Sequence, residues 1–572
     1  MEEAAVKREY NAIRLVKAVL IFFLLAGGRA EAKAIREETE KVDGMAENRI
    51  LKDNYQTLFA VGNVVSPRDL GGPRFELLKK HFDILTAENA MKPLYLQGEK
   101  GVFTFEASDI LVDAALEAGM KIHGHTLAWH QQSPEWMNRE GLSRDEAIEN
   151  LVTHVKTVAG HFSGRVVSWD VLNEAISDNP PNPGEWKSSL RQTPWLKAIG
   201  PEYIEIVFRA AREADPSAIL YYNDYNLDNQ EKALAVYNMV KELNEQYPDV
   251  NGRPLIDAVG MQGHYRLRTN PDDAAASLKR FASLGVKVSI TELDVQAGEE
   301  ATLTDEQALL QGILYARLFA LFREYASSLD RVTIWGLDDG TSWRKNTCPV
   351  LLDAELREKP AFFAALNPAA FLAENESRLS SFRKDPRQAE AFYGAPGLDP
   401  ADPLWLNAPE LPVNQYIMAW QGAAGTAKVL WNEKFLYVLL TVTNAELNRT
   451  SSAPHEQDSV EIFIDEGNHK SVYFQGDDGQ YRVNFANERS FNPPSLLEGF
   501  DSRTVSSGNS YTVAAKIPFR TIKPDADTVI GFDLQINGAS TLGMRQSIAV
   551  WNDTTGNAWQ DPSRYGLLRL VK

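Results

Sequence analysis

Between about residues 50 and 370 a short apolar run is followed by a longer stretch of helical pattern, eight times over. The runs occupy residues 58–65, 82–89, 121–129, 166–175, 218–225, 258–265, 286–295 and 331–339. Most are continuously apolar, as in ILYY and VKVSI, instead of alternating with polar residues. That pattern marks strands buried on both faces, the situation of a parallel sheet. Residues 144–159 and 230–246 are two of the intervening helical stretches, and Ser143 and Glu146 open the first at capping-box spacing. Eight strand–helix units predict an α/β fold, a (β/α)8 TIM barrel spanning residues 45–373.

The pattern changes after the barrel. Residues 374–401 are rich in charge, Pro and Gly and read as a linker plus an entry loop. From residue 402 to 572 short apolar strands (KVLW, FLYVLLTV, SVEIFID, YRVNF, YTVAAKIP, VIGFDLQI, SIAVW) alternate with polar turns, which predicts an all-β sandwich. At the other end, residues 18–28 form an uncharged run of 11 residues with Arg14 and Lys17 before it and Ala30-Glu31-Ala32 after it. Residues 1–32 therefore read as a signal-peptide-like segment and the expected location is secreted or extracellular. A packed amphipathic helix, and with it a cytoplasmic location, is the alternative, favoured by Arg29 and by Glu2, Glu3 and Glu9. The run is too short to span a bilayer, which takes roughly 20 residues, so no integral membrane span is expected in the mature chain.

The net charge of −19 lacks the basic footprint that nucleic-acid binding requires, and no nucleic-acid partner is expected. A single cysteine, Cys348, rules out an intrachain disulfide and a cysteine zinc site, and a buried structural thiol is expected.

Polar residues gather at the C-terminal ends of the predicted strands: Glu88 and Asn89, His125 and Trp129, Asn173 and Glu174, Asn223 and Tyr225, Gln262 and His264, Glu292 and Asp294, Trp335 and Asp338. In this fold the C-terminal mouth is where active sites are built. Glu174 and Glu292 end the fourth and seventh strands, on roughly opposite sides of the mouth. Inward projection can bring their carboxyls to about 5 Å, the spacing of a retaining glycosidase. One such glutamate alone reads as a salt-bridged structural carboxylate; two with polar neighbours favour chemistry. Asn173 is placed to bond a substrate hydroxyl, and His264 and Asp294 to set the ionisation of Glu292. His123, His125 and His130 suggest a metal at first sight, but no carboxylate lies at ligand spacing in the sequence, and neither metal nor cofactor is expected. Trp129, Trp335 and Trp343 are candidate sugar platforms.

The runs TAENAMKP, GHTLAWH, WDVLNEA, NDYN, MQGHY, TELDV and the segment from Trp335 to Arg344 together resemble family 10 glycoside hydrolases, the endo-β-1,4-xylanases. The resemblance implies xylan and xylo-oligosaccharides as substrates and a retaining mechanism, with Glu174 as general acid/base and Glu292 as nucleophile. It implies further that Glu88, Asn89, Lys92, His125, Trp129, Asn173, Gln262, His264, Trp335 and Trp343 contact the sugar. A β-1,4-glucanase and a non-catalytic carbohydrate-binding protein are the rival readings; the intact glutamate pair argues against the second. Residues 402–572 resemble a family 9 carbohydrate-binding module through GTAKVLWNEKFLYVLLTVTN, HEQDSVEIFIDEGNHKS and WNDTTGNAWQDPSRYGLLRL. Trp559 matches one of that family's two stacking tryptophans, and Glu461 and Arg482 match its hydrogen-bonding groups. His455 stands where the second tryptophan is expected, so sugar binding is weakened or lost. The acidic loop 465–468 carries no firm metal assignment, and a monomer is expected.

Overall fold

The computed structural model describes residues 49–249, 251–383 and 385–572. The signal-like segment 1–32 lies outside the described residues. Two compact units emerge: residues 49–265 with 273–376, and residues 266–272 with 377–572.

The first unit is a closed parallel barrel. Its strands are β1 (Ala60–Val65), β2 (Ile84–Ala87), β3 (Lys121–Trp129), β4 (Ser168–Asn173), β5 (Ile219–Asp224), β6 (Ala258–Met261), the short β7 (His264–Arg266), β8 (Lys287–Gln296) and β9 (Leu329–Ile334). Neighbours pair in parallel from β1 round to β6. β1 also pairs with β9, β9 with β8, and β8 with β6, which closes a ring of eight with β7 appended to β8. β2 and β4 are buried along their whole length, as the apolar runs predict. The helices cover the outside, and helix Asp305–Glu324, with Leu309 to Ala316 all buried, is enclosed on every side. In helix Tyr203–Ala214, Ile204, Val207, Phe208 and Ala211 are buried at the 3–4 residue spacing that a single face requires. Helix Arg144–His161 begins where expected, and the Ser143 side chain accepts from the Glu146 N–H; only this forward half of the capping box is recorded.

The second unit is all β: β10 (Gln388–Tyr393), β11 (Leu411–Val413), β12 (Gln415–Tyr416), β13 (Ala424–Trp431), β14 (Phe435–Thr443), β15 (Ser459–Asp465), β16 (Asp478–Asn484), β17 (Arg489–Asn492), β18 (Asp501–Ser507), β19 (Ser510–Pro518), β20 (Val529–Ala539), β21 (Arg545–Val550) and β22 (Gly566–Val571). The two faces of the expected sandwich belong to one continuous, curled sheet that runs from β17 through β15, β20, β22, β10 and β13 to β18. Its inner faces enclose a core that includes Trp431, Val438, Ile462, Phe532 and Trp551. One expectation needs correction. Residues 388–393, assigned to the linker, form β10, which sits between β22 and β13 and pairs with both in parallel. The Pro and Gly on either side disguise a short strand of which only Ala391 is fully buried.

Cys348 is buried and free. Among the described residues no helix is long and apolar enough to cross a membrane.

Candidate active site

A cavity of about 520 Å³ opens at the C-terminal ends of the barrel strands. Glu88, Asn89, Lys92, His125, Trp129, Asn173, Glu174, Gln262, His264, Glu292, Trp335 and Trp343 all line it. These are the catalytic and sugar-contact positions singled out in the barrel sequence; Asp294, the supporting one, is fully buried behind His264. A cavity of about 580 Å³ lies at the opposite, N-terminal end of the barrel. Its carboxylates are already engaged: Asp83 accepts from the Val61 N–H, and Asp330 pairs with Lys287 and accepts from Tyr221. Volume therefore does not single out the site, whereas chemistry does.

Glu174 follows the last residue of β4 and takes a left-handed backbone conformation, φ 60°. Three neutral donors hold its carboxylate. Gln262 Nε2 (2.9 Å) and Asn173 Nδ2 (3.1 Å) donate to Oε1, and the Trp129 indole N–H (2.9 Å) donates to Oε2. Burial raises its pKa above the ordinary glutamate range. The Asp224 and Glu292 carboxylates add to that, and the bonds from Gln262 and Trp129 only partly offset it.

Glu292 has different company. Asn223 Nδ2 donates to Oε1 at 2.9 Å, and His264 Nε2 lies 3.2 Å from Oε2. The other imidazole nitrogen, Nδ1, lies 3.0 Å from Asp294 Oδ2. Burial opposes a charge on His264, but the Asp294 and Glu292 carboxylates outweigh it and lift its pKa to about 9. At neutral pH both ring nitrogens thus carry protons, one donated to each carboxylate. Burial likewise opposes ionisation of Glu292. The His264 hydrogen bond and the positive potential of His125 and His264 prevail, and its pKa falls below the ordinary range. Asp294 is anchored in turn by Arg344 Nη1 (3.0 Å) and the Trp343 indole N–H (3.1 Å). Asn223 Nδ2 also donates to Asn173 Oδ1 at 2.9 Å, so a chain of amides spans the floor between the two glutamates.

The rest of the cavity is built for hydroxyl groups and a ring face. Lys92 Nζ donates to Asn89 Oδ1 (3.0 Å) and Gln132 Oε1 (2.7 Å) and lies 5.1 Å from the Trp129 ring centre. Burial lowers its pKa, against the pull of Glu292, Glu88 and Glu174. Glu88 accepts from Ser66 Oγ and pairs with Arg68 at 3.4 Å. Trp343 is 56% exposed at the rim, with the Arg344 guanidinium 4.4 Å from its ring centre, while Trp335 is buried against the His125 ring.

The histidine pair needs a correction. His125 Nδ1 and His123 Nε2 lie 2.9 and 3.1 Å from Asp170 Oδ2, so a carboxylate does meet them. Spacing within one strand hid it, because Asp170 sits on β4 as the register partner of His125. Burial holds the His123 pKa down at about 4, and the two imidazoles keep Asp170 well below the usual carboxylate range. His130 does not line the cavity. Tyr225, placed at the mouth by the strand-end pattern, does, and so do Gln131, Gln132, Asn226 and Arg344, to which the sequence assigns no individual role. Gln131 and Gln132 directly follow the GHTLAWH run, which is the signal that points to them.

In the second unit Glu461 and Arg482 are register partners on β15 and β16, 2.8 Å apart. Asn537 Nδ2 (2.6 Å) and Gln480 also donate to Glu461. Burial alone raises the Glu461 pKa, but the Arg482 charge and these bonds carry it below the ordinary range. Ala558, next to Trp559 in the chain, packs on Phe463, which shares the sheet face of Glu461 two residues on. Trp559 is 52% exposed, and His455 is exposed as well. Asp465, His469 and Asp477 approach within 4.8 Å of one another, and His469 pairs with Asp477 at 2.9 Å.

A barrel with two buried carboxylates at its mouth, one inclined to hold a proton and the other to give it up, has the architecture of the glycoside hydrolases. Residues 50–368 match the glycosyl hydrolase family 10 model, and the chain belongs to that family. Residues 399–572 match the carbohydrate family 9 binding domain-like model. The endo-1,4-beta-xylanase A of Thermoanaerobacterium saccharolyticum is 31% identical over 90% of this chain and 59% of its own length. The exoglucanase XynX of Acetivibrio thermocellus is 31% identical over 91% of this chain and 63% of its own. The chain thus spans about three fifths of the length of these relatives. Among solved structures, the intracellular xylanase of T. saccharolyticum, determined with xylotetraose, is 38% identical. It superimposes with a TM-score of 0.51 over 56% of this chain and 98% of its own. A termite-gut family 10 xylanase containing a bacterial Ig-like domain is 33% identical, with a TM-score of 0.54 over 58% of this chain and 80% of its own.

Proposed function

We propose that the chain is an endo-β-1,4-xylanase that cuts internal bonds of xylan with retention of configuration. The observation that carries this reading is the opposite displacement of two carboxylates in one cavity: Glu174 upward, Glu292 downward. Two carboxylates whose environments push their pKa values apart take separate roles as acid and as nucleophile. Glu292, ionised and hydrogen-bonded by His264 and Asn223, attacks the anomeric carbon. Glu174 gives its proton to the departing glycosidic oxygen as the bond breaks, leaving an ester between the sugar and Glu292. Esterification removes the negative charge of Glu292. Glu174, deprotonated by that transfer and relieved of the Glu292 repulsion, stays ionised and serves as base, taking a proton from the water that attacks the same carbon and frees Glu292. Asn173 is placed for a sugar hydroxyl beside the reacting carbon, and Trp343 offers a ring-sized face at the rim.

Xylan as the substrate draws support from the relatives named endo-1,4-beta-xylanases and from the relative solved with xylotetraose. The relative named exoglucanase supports a second reading, a β-1,4-glucan substrate. Product analysis on xylan and on cellulose decides between them: xylo-oligosaccharides of mixed length are expected, and release of cello-oligosaccharides alone overturns the assignment. The second unit serves to target polysaccharide through Glu461, Arg482 and Trp559, with affinity reduced by His455 in place of an indole. Retention of the full chain on insoluble xylan or cellulose, lost in Trp559→Ala, tests it. The 18–28 run and the A-x-A pattern after it support export. Intact residues 1–32 on protein recovered from its host contradict cleavage there.

A further inference from the structure

The segment that carries Glu174 is held from beneath by groups that line neither of the two barrel cavities described above. Tyr222, Asp224 and Lys232 are each fully buried. The Tyr222 hydroxyl accepts from two consecutive backbone N–H groups, Ala175 (3.0 Å) and Ile176 (3.1 Å). Those acceptor positions are open because the hydroxyl spends its own proton on Asp224 Oδ2, 2.5 Å away. The other oxygen of Asp224 accepts from Lys232 Nζ at 2.9 Å and from the Tyr225 N–H at 2.9 Å. Lys232 Nζ also reaches Asp178 (3.2 Å) and lies 3.8 Å from the Tyr225 ring centre. From the other side Arg191 donates to the carbonyls of Glu174 (3.1 Å) and Ile176 (3.2 Å). A non-glycine residue at φ 60° keeps that conformation only where its surroundings over-determine it.

We propose that Tyr222, Asp224 and Lys232 are positioning residues for Glu174: a buried cation–carboxylate–phenol chain that clamps the two peptide groups after it and aims its carboxyl at the glycosidic oxygen. Each member is needed for the next. Lys232 holds one oxygen of Asp224, the other oxygen accepts the phenol proton, and the phenol oxygen is then turned toward both N–H groups. Trp129, Asn173 and Gln262 hold the tip of Glu174, and the chain beneath holds its base. This inference rests on the general-acid role given to Glu174 above.

The test compares kcat/KM of the full chain on xylo-oligosaccharides, whose leaving group needs a proton, with that on a dinitrophenyl xylobioside, whose leaving group does not. Glu174→Gln is the control. Tyr222→Phe keeps the ring and removes only the hydroxyl. It is expected to lower kcat/KM on xylo-oligosaccharides by about tenfold or more, within the ~10²–10⁴-fold that a general acid supplies, while the activated substrate changes by less than about twofold. The burst of dinitrophenol that marks accumulating glycosyl-enzyme is expected to persist. Asp224→Asn with Lys232→Met, which removes both charges together, is expected to show the same selectivity and provides a second route should Tyr222→Phe fold poorly. Equal losses on both substrates, or no loss on either, overturn the inference as long as Glu174→Gln keeps its selectivity. If Glu174→Gln itself shows no selectivity, the acid assignment fails, and the positioning role falls with it.

Discussion

Glu174, Glu292 and Glu461 are almost equally sequestered, at 6, 5 and 1% exposure, yet their surroundings set them on different courses. Glu461, in the second unit, is met by a guanidinium and two side-chain amides, which leave it a fixed anion. Glu292, in the barrel, is met by a charged imidazole that is itself shared with Asp294. Glu174 is met only by neutral donors and has the Asp224 and Glu292 carboxylates nearby. Burial is common to all three, so burial does not distinguish a reactive carboxylate from a structural one. The charge of the donors does. A carboxylate tied to a permanent cation holds a surface in register; one surrounded by neutral donors retains a proton to give away.

That contrast can be broken by experiment. The largest effect is expected for Glu292→Ala, which removes the nucleophile: kcat on xylan should fall by at least ~10⁴-fold, read from reducing-sugar release. Glu174→Gln should lower kcat/KM on xylan by ~10²–10⁴-fold and leave an activated aryl xylobioside far less affected. The pH profile of kcat/KM should be a bell, because turnover needs Glu292 ionised and Glu174 protonated. Its acidic limb should lie below the ordinary glutamate range and its alkaline limb above it. His264→Gln withdraws the positive charge that stabilises ionised Glu292, so its acidic limb should move to higher pH. Arg482→Met strands Glu461 as a buried unpaired anion, a change worth about 3–5 kcal/mol. A lowered unfolding transition of the second unit is expected by calorimetry, with turnover of soluble xylo-oligosaccharides retained below it. The smallest effect should come from Trp559→Ala: less than about twofold in turnover of soluble substrate, in line with the substitution of an exposed side chain in the second unit, but reduced retention on insoluble polysaccharide.

Much of the barrel was legible in the sequence, because strands buried on both faces leave continuous apolar runs whose polar ends point to the mouth. Residues 121–129 were bounded as β3 is, and all the barrel contacts named from the motifs line one cavity. Asp170, Asn223 and Arg344 show the limit. Each acts across strands or loops: Asp170 on His125 one strand away, Asn223 between Asn173 and Glu292, Arg344 on Asp294 from the loop after β9. Spacing along a chain does not reveal such partners. Tyr222 was hidden for another reason, since a tyrosine inside an apolar strand reads as core until its hydroxyl is seen between two amides and a carboxylate. The second unit is less legible in the sequence. β18 (DSRTVSS) is an edge strand with few apolar residues, and β10 is short and flanked by breakers.

The most direct test of the central claim, that Glu174 and Glu292 act as acid/base and nucleophile on opposite faces of a xylosyl ring, is proton NMR of the anomeric signal during the first turnovers on xylan. The β-anomer should appear first and the α-anomer later, by mutarotation. Initial appearance of the α-anomer would contradict a covalent intermediate on Glu292 and with it the division of roles between the two glutamates.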